Sequence, residues 1–308
     1  MGSDRPRELV AILGTTASGK TRLGARLARR FGGEIISADS RQVFRGMDVG
    51  TGKDLDEYVV EGERVPVHLV DVADPNDDFN LYRFVTLFRR AYAEIRKRRR
   101  LPFLVGGSGM YLSAVLQGYR LAPKKDDKIF DAELRSLDHE RLKRTLVEMK
   151  PDRHNKTDLV DKERTIQAIK VAAGEFESAA EYDEPPNALV LGVRFDPEET
   201  RRRIETRLRE RIDGGMIEEV RRLMGEGVSR ERMRYFGLEY RYVSDYLAGE
   251  STFDEMFAEL NRRIAKFAKR QRTWFRKMER EGAAIRWIDG PDYEAAARLL
   301  DEAEFDHA

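Results

Sequence analysis

The octet Gly14-Thr15-Thr16-Ala17-Ser18-Gly19-Lys20-Thr21 constrains what this chain can fold into more than any other feature. It fits G-x-x-x-x-G-K-[ST] and stands in the context that pattern needs, with an apolar run over 8–14 before it and a helical pattern over 20–31 after it. Gly14 and Gly19 let the backbone turn its N–H groups inward on an anion. The helix that follows presents its positive end to the same anion. Lys20 adds a mobile charge. The Thr21 hydroxyl suits Mg²⁺, which prefers oxygen ligands and substrate phosphates. A strand–turn–helix unit cradling a polyphosphate is therefore expected. The loop alone does not say what becomes of the phosphates.

The rest of the chain repeats the same alternation. Short apolar runs over 34–38, 65–72, 102–106, 188–195 and 284–288 read as strands, several rich in Val and Ile as buried parallel strands tend to be. Helical patterns over 80–99 and 109–116 fall between them. Strand and helix in alternation predict an α/β fold, a P-loop NTPase-like parallel sheet flanked by helices. The alternation stops near Gly118, and a charged helical stretch follows before strand character returns at Asn187. The expected organisation is a core of 1–118 and 187–308 with a helical insertion domain over 119–186. Long helical runs are expected over 198–225 and 252–282, and a short tail helix after 289 with no part in the chemistry.

Composition narrows the function classes. With 308 residues, 41% of them hydrophobic, a sizeable core is possible. A formal net charge of +1 selects no partner, so the distribution of charge must. The absence of cysteine excludes disulfides and thiolate metal sites and permits a reducing compartment. The stretch MGSDRPRELV has no secretory-type apolar region, and no run reaches the ~18 apolar residues a membrane helix needs. A cytoplasmic protein without membrane contact is expected.

Three strand ends carry candidate chemistry. Asp39 lies just past the predicted strand 34–38, where open α/β sheets bind ligands. It suits either a proton acceptor or metal partner beside the phosphates, or, with Ser40, a helix N-cap. Asp71 stands at another strand end as a possible acidic partner of the site, while His68 within that strand reads as structural. At a third end, Gly106 and Gly107 allow close backbone approach, and Ser108 offers a hydroxyl to a ligand or to an ordinary turn.

Two later segments are strongly basic. In "ETRRRIETRLRERIDGGMIEEVRRL", Arg203 and Arg207 share a helix face, and guanidinium groups bind diphosphate oxygens bidentately. The remaining arginines there read as a solvated face balanced by Glu205 and Glu210. The segment "NRRIAKFAKRQRTWFRKMER", residues 261–280, carries nine Lys or Arg against one Glu, with Phe267, Trp274 and Phe275 interleaved. Cations facing a phosphate backbone, with the aromatics Phe267 and Trp274 in a buried stripe, fit a nucleic-acid-facing helix.

Taken together, "GTTASGKT", "GGEIISADSRQVFRGMDVGTGK", "VPVHLVDVADP", "LPFLVGGSGMYL", "RRIETRLRERIDGGMIEEV", "YLAGE" and "AKRQRTWFR" resemble the tRNA dimethylallyltransferase family, in that family's order, from about residue 10 to residue 287. The resemblance implies transfer of a dimethylallyl group from dimethylallyl diphosphate to N6 of an adenosine beside the tRNA anticodon, assisted by Mg²⁺, with diphosphate leaving. It implies that the loop from Gly14 through Thr15, Thr16, Ala17, Ser18, Gly19 and Lys20 to Thr21 holds the diphosphate with Arg203 or Arg207, and that Thr21 carries the metal. It implies Asp39 as general base, with Asp39, Ser40, Arg41 and Gln42 lining the target nucleotide. Ser108 replaces the family's usual threonine and keeps the hydroxyl. Lys269, Arg270, Gln271, Arg272, Trp274 and Arg276 match the tRNA-contacting helix, and the insertion matches the domain that grips the anticodon stem-loop of a tRNA bound by a monomer. The sequence departs from the family pattern at "FGLEYRYV" and at "NKTDLVDKERTIQAIKV", where Arg164 is kept and Gln167 replaces an arginine, implying altered tRNA recognition. Prenylation of free adenine nucleotides (AMP or ATP) and a P-loop kinase of small metabolites are the competing readings.

Overall fold

The computed structural model describes residues 6–119, 121, 128–149, 159–177 and 184–306. The chain forms two compact units, Met1–Gln117 with Pro185–Ala308, and Gly118–Glu184.

The larger unit is built on a six-stranded parallel sheet. Its strands are β1 (Leu9–Gly14), β2 (Glu34–Ala38), β5 (Val67–His68), β6 (Pro102–Gly106), β7 (Ala188–Arg194) and β8 (Ile285–Asp289), in spatial order β5-β2-β6-β1-β7-β8. A two-stranded ribbon, β3 (Val59–Val60) and β4 (Glu63–Arg64), stands apart from it. Every residue of β1, β2 and β6 is buried. Their near-continuous apolar runs are what a sheet covered on both faces requires. One core cluster joins Ile12, Val10 and Val105 of the sheet to Leu23 and Leu27 of α1 (Lys20–Arg30) and to Ala296 and Leu300 of α12 (Tyr293–Asp301). The tail helix thus completes the core. Strand order reverses at β1, since the chain builds β2, β5 and β6 on one side and β7 and β8 on the other. That switch point puts the phosphate loop at the natural binding crevice of the sheet.

Local chemistry explains most helix bounds. Asn80 caps α2 (Leu81–Lys97) by accepting from the Arg83 N–H. Asp196 caps α7 (Pro197–Asp213), with proline at its first position. Thr252 and Glu255 form a reciprocal capping box at the start of α11 (Phe253–Arg280). The helix α3 (Gly109–Leu116) follows β6 directly.

Several expectations need correction. The strand expected over 65–72 shrinks to β5, because Leu69 and Asp71 take left-handed φ values of 63° and 57° and leave the ladder. The helix expected over 198–225 breaks at Gly214-Gly215 into α7 and α8 (Met216–Gly225). Two short helices, α9 (Arg230–Phe236) and α10 (Leu238–Leu247), were not foreseen.

The smaller unit contains α4 (Lys128–Ser136), α5 (His139–Met149) and α6 (Lys162–Glu177), packed around Leu134, Leu142, Leu146, Ile166 and Ile169. Buried Lys170 reaches Asp131 at 2.9 Å, and Arg135 bridges Asp131 and Glu163. No helix among the described residues is long and apolar enough to cross a membrane.

Candidate active site

The loop between β1 and α1 is held from three sides. The Ala17 carbonyl accepts from Arg203 Nε at 2.8 Å. The Thr16 N–H donates to Gln271 Oε1 at 2.9 Å, and Gln271 Nε2 donates on to the Gly107 carbonyl at 2.8 Å. Lys20 Nζ donates to the Thr15 carbonyl at 3.2 Å. Gln271 therefore ties helix α11 to the phosphate loop and to the end of β6. A side chain at Gly107 would crowd this tie, since a Cβ would stand 2.6 Å from Gln271 Nε2 and 3.0 Å from the Gly14 carbonyl.

Two cavities open on this loop and share part of their walls. The larger, about 960 Å³, is lined by Ala17, Gly19, Lys20, Thr21, Arg203, Arg207 and Arg211 on one side, and by the acidic loop Asp54–Glu57 on the other. The smaller, about 300 Å³, is lined by Asp39, Ser40, Arg41, Gln42, Ser108, Tyr58, Phe236 and Tyr240, and by Phe267 and Arg270 of α11. Lys20, Thr21, Arg207 and Arg211 belong to both. These four residues form the wall the two cavities share.

Electrostatics sets the phosphate side apart. Burial, first, and then the neighbouring Arg207 and Arg211 push the Lys20 ammonium down to about 8, against the opposing pull of Asp39 and Glu57. Such a lysine, buried beside guanidinium groups, is stabilised in its charged form by any nearby negative charge. Arg203 stacks over the Phe195 ring at 4.5 Å, and Arg207 pairs with Asp54. Both arginines expected from the sequence line the larger cavity.

Asp39 sits half-buried beyond β2, and its Oδ1 accepts the Arg41 N–H at 2.9 Å. The bond closes a local turn and caps no helix. Ser108 Oγ accepts the Ser40 N–H at 3.0 Å, so this hydroxyl fixes the Asp39 loop against β6. Its own proton remains for a guest. Gln42 is buried and used internally, with Nε2 donating to the Gly52 carbonyl at 3.0 Å and Oε1 meeting Ser37 Oγ at 3.1 Å. Arg41 Nη1 donates to the Tyr235 carbonyl at 2.7 Å.

The long basic helix divides by face. Lys269, Arg270 and Arg276 are exposed, and Arg272 is half-buried with Arg276 and Arg201 nearby. Gln271, expected to face a nucleic acid, turns inward to the phosphate loop instead. Trp274 is half-buried and donates from Nε1 to Ser113 Oγ at 2.9 Å. The buried stripe runs through Ile264, Ala268, Gln271, Phe275 and Met278. Phe267, expected in the core, is exposed beneath Arg270 at 5.7 Å. Arg164 and Gln167 lie on α6 of the smaller unit, bound to Asp161 and Glu163.

Asp71 lines neither cavity. It pairs with buried Lys53, which also holds Asp48 and the Phe44 carbonyl at 2.7 Å. His68 is structural, as expected, bonded to Glu34 Oε2 at 2.7 Å. Sequence reasoning missed Glu219 of α8. Its buried carboxylate accepts the N–H groups of Asp48, Val49 and Gly50 at 2.7, 2.8 and 2.9 Å and the Tyr240 hydroxyl at 2.6 Å. It shapes the loop that walls both cavities. No sequence signal marks it, because its partners are mostly backbone groups far away along the chain.

Among the described residues no cluster of His, Asp or Glu is arranged to hold a metal by itself. Thr21, on both cavities, supplies one hydroxyl. That donor set fits Mg²⁺ carried in by phosphate oxygens, the usual way this ion is bound.

The comparisons agree with the geometry. The chain matches the IPP transferase family model over residues 42–278 and the isopentenyl transferase model over 7–74. It is 49% identical to tRNA dimethylallyltransferase 1 of Syntrophus aciditrophicus, covering 96% of this chain and 97% of that one. It is 51% identical to tRNA dimethylallyltransferase 2 of Pelobacter propionicus, over 98% and 97%. The solved tRNA isopentenylpyrophosphate transferase of Bacillus halodurans is 31% identical and superposes with a TM-score of 0.66, over 96% and 94%. A eukaryotic dimethylallyltransferase acting on tRNA, at 23% identity, shares the fold with a TM-score of 0.78 over 96% of this chain and 78% of that one. The chain belongs to the tRNA dimethylallyltransferases, within the IPP transferase family.

Proposed function

We propose that the enzyme moves a dimethylallyl group from dimethylallyl diphosphate to N6 of adenosine 37, in tRNAs that read codons beginning with U, and releases diphosphate. The single observation that carries this reading is the shared wall. The cations Lys20, Arg207 and Arg211 border both cavities, while Asp39 lies on the smaller one alone. A donor whose diphosphate rests on the loop presents its allylic carbon toward the smaller cavity. The adenine enters that cavity from a single-stranded anticodon loop, where extrusion costs little.

The N6 amine attacks the allylic carbon as the carbon–oxygen bond to diphosphate breaks. The departing electron pair goes to the diphosphate oxygen, whose charge meets Lys20 and the arginines as it develops. The proton lost from N6 goes to the Asp39 carboxylate. When bound, Mg²⁺ at Thr21 supplies further charge neutralisation to the leaving group. Ser108 and Gln271 fix the Asp39 loop and the phosphate loop. Phe267 and Arg270, at the mouth of the smaller cavity, offer a stacking face and a cation to RNA. The exposed cations of α11 contact the tRNA backbone, and the smaller unit, through Arg164 and Gln167, contacts the anticodon arm. The enzyme works as a cytoplasmic monomer.

Labelled dimethylallyl diphosphate, offered with unmodified tRNA or with AMP, tests the reading. Label should appear in tRNA. Label in AMP alone would assign the chain to nucleotide prenylation, and ATP consumption with no label would assign it to kinase chemistry.

A further inference from the structure

Arg211 was not among the diphosphate ligands expected from the sequence, yet it lines both cavities, one helical turn beyond Arg207. Its side chain is only 11% exposed. For a guanidinium rich in N–H donors it is thinly held: Nη1 reaches Glu239 Oε1 at 3.3 Å, and buried Nε has no partner. Buried charges are ordinarily paired and hydrogen-bonded to saturation. A second cation crowds it. Arg207 and Arg211 close together over Gly52, where φ is +62° and a Cβ would overlap the Arg211 guanidinium and stand 3.0 Å from Arg207 Nη2. Burial, and then Arg207, weaken the hold of Arg211 on its proton.

Arg230 provides the contrast. Its Nε is also unpartnered, but Nη2 is clamped by Asp245 at 2.9 Å and Glu250 at 2.6 Å, and it lines neither cavity. Arg230 is a structural ion whose charge is met by two carboxylates. Arg211 is a charge on the wall of both cavities, with one carboxylate contact and an unpartnered buried Nε.

We propose that Arg211 is a third arginine for the donor's diphosphate, held in waiting by Glu239 and drawn from it when the larger cavity fills. This rests on the transfer reading above. Glu239 lines only the smaller cavity. The exchange would therefore bare a carboxylate acceptor beside the incoming adenine as the leaving group is gripped. An ion pair whose role was only to pin α7 to α10 would have no reason to border both cavities with an unfilled donor.

The two partners should give opposite effects, and the double variant separates the exchange from the plain Coulomb effect of removing a carboxylate near the anion. Inorganic pyrophosphate with Mg²⁺ is titrated calorimetrically into the full-length protein and its variants. Arg211→Met should weaken binding roughly 10- to 100-fold, as expected for a lost charge-assisted hydrogen bond. Glu239→Gln should tighten it about 3- to 10-fold, because the competent arginine is no longer sequestered. In the Arg211→Met background, Glu239→Gln should change nothing. If both single variants weaken binding, or neither alters it, the inference fails while the transfer reading stands. If Arg211→Met does not fold, Arg211→Gln takes its place in both the single and the double variant, with the same outcomes expected and the same outcomes overturning the inference. A wild-type protein that binds no pyrophosphate would overturn the transfer reading and this inference together.

Discussion

The two ends of strand β2 carry carboxylates with opposite fates. At its start, Glu34 accepts Arg98 Nε and Nη2 at 3.0 and 2.7 Å and His68 Nε2 at 2.7 Å. Burial pushes the Glu34 carboxyl up, but the hydrogen bonds from Arg98 and His68 outweigh it and hold it below the ordinary value. At its far end, Asp39 has one local N–H donor and otherwise faces a cavity. Around it, Lys20 is a buried cation that bonds to the Thr15 carbonyl, and Arg211 a buried cation with an unpartnered Nε. A saturated charge stabilises a fold, whereas an unsaturated one needs a ligand. The contrast sets a saturated carboxylate at the N-terminal end of β2 against one that lines a cavity beyond its C-terminal end.

The comparison breaks most sharply at Asp39. Asp39→Asn should lower single-turnover transfer by about 10²–10⁴-fold, the usual worth of a positioned base, while tRNA binding stays near the wild-type value. Loss of binding with an intact chemical step would remove Asp39 from the base role.

Next comes Lys20. Its ammonium is depressed from 10.5 to about 8, so the charged form bears a burial cost that is full below about pH 8 and relieved between there and 10.5. Lys20→Met should therefore raise the unliganded protein's stability at pH 7 by on the order of 1–3 kcal/mol, seen in chemical denaturation, and the gain should vanish above pH 10.5. The same substitution should abolish the pH limb of pyrophosphate affinity. In the wild type, affinity should fall as pH rises through about 8, because the phosphate needs the ammonium charged.

A smaller effect is expected at Gln271. Gln271→Leu strands the Thr16 N–H and the Gly107 carbonyl, at a cost of about 1–3 kcal/mol. Donor KM should rise roughly tenfold as the loop loosens, with tRNA affinity little changed. The smallest functional effect belongs to Glu34. Glu34→Gln should cost about 2 kcal/mol of stability at pH 7 and leave kcat/KM unchanged. Because the folded carboxyl lies below its unfolded value, the wild-type advantage should be present above the ordinary carboxylate range and disappear as pH falls through it. A fall in kcat/KM would erase the distinction between the two ends of the strand.

Much of this was legible in the sequence, for physical reasons. The expected bounds 34–38, 102–106 and 109–116 match β2, β6 and α3, since fully buried strands and a helix following a glycine turn leave plain patterns. The phosphate loop is visible in its motif spacing, whereas Asp39 and one of Arg203 and Arg207 are singled out by the family resemblance, and both arginines line the larger cavity. The strand at 65–72 misled, because nothing in "VPVHLVDV" announces the left-handed turns at Leu69 and Asp71. Gln271 hid within a basic, polar run, and only the burial of α11 shows that it faces the loop. Phe267 leaves the core while Phe275 stays in it, because one face of α11 packs inward and Phe267 lies on another that lines the smaller cavity. Glu219 and Arg211 could not be singled out at all. One is defined by backbone amides some 170 positions away, the other by hydrogen bonds it does not make.

The central claim is that one wall serves both substrates, so that a diphosphate on the loop and an adenine beside Asp39 meet across Lys20, Thr21, Arg207 and Arg211. Single-turnover transfer from labelled dimethylallyl diphosphate to an unmodified anticodon stem-loop tests it most directly, with the adenosine 3′ of the anticodon present or replaced by guanosine. The account predicts label on the adenosine-bearing loop alone, with one diphosphate released per label. Label on the guanosine loop, or diphosphate release with no label in RNA, would contradict it.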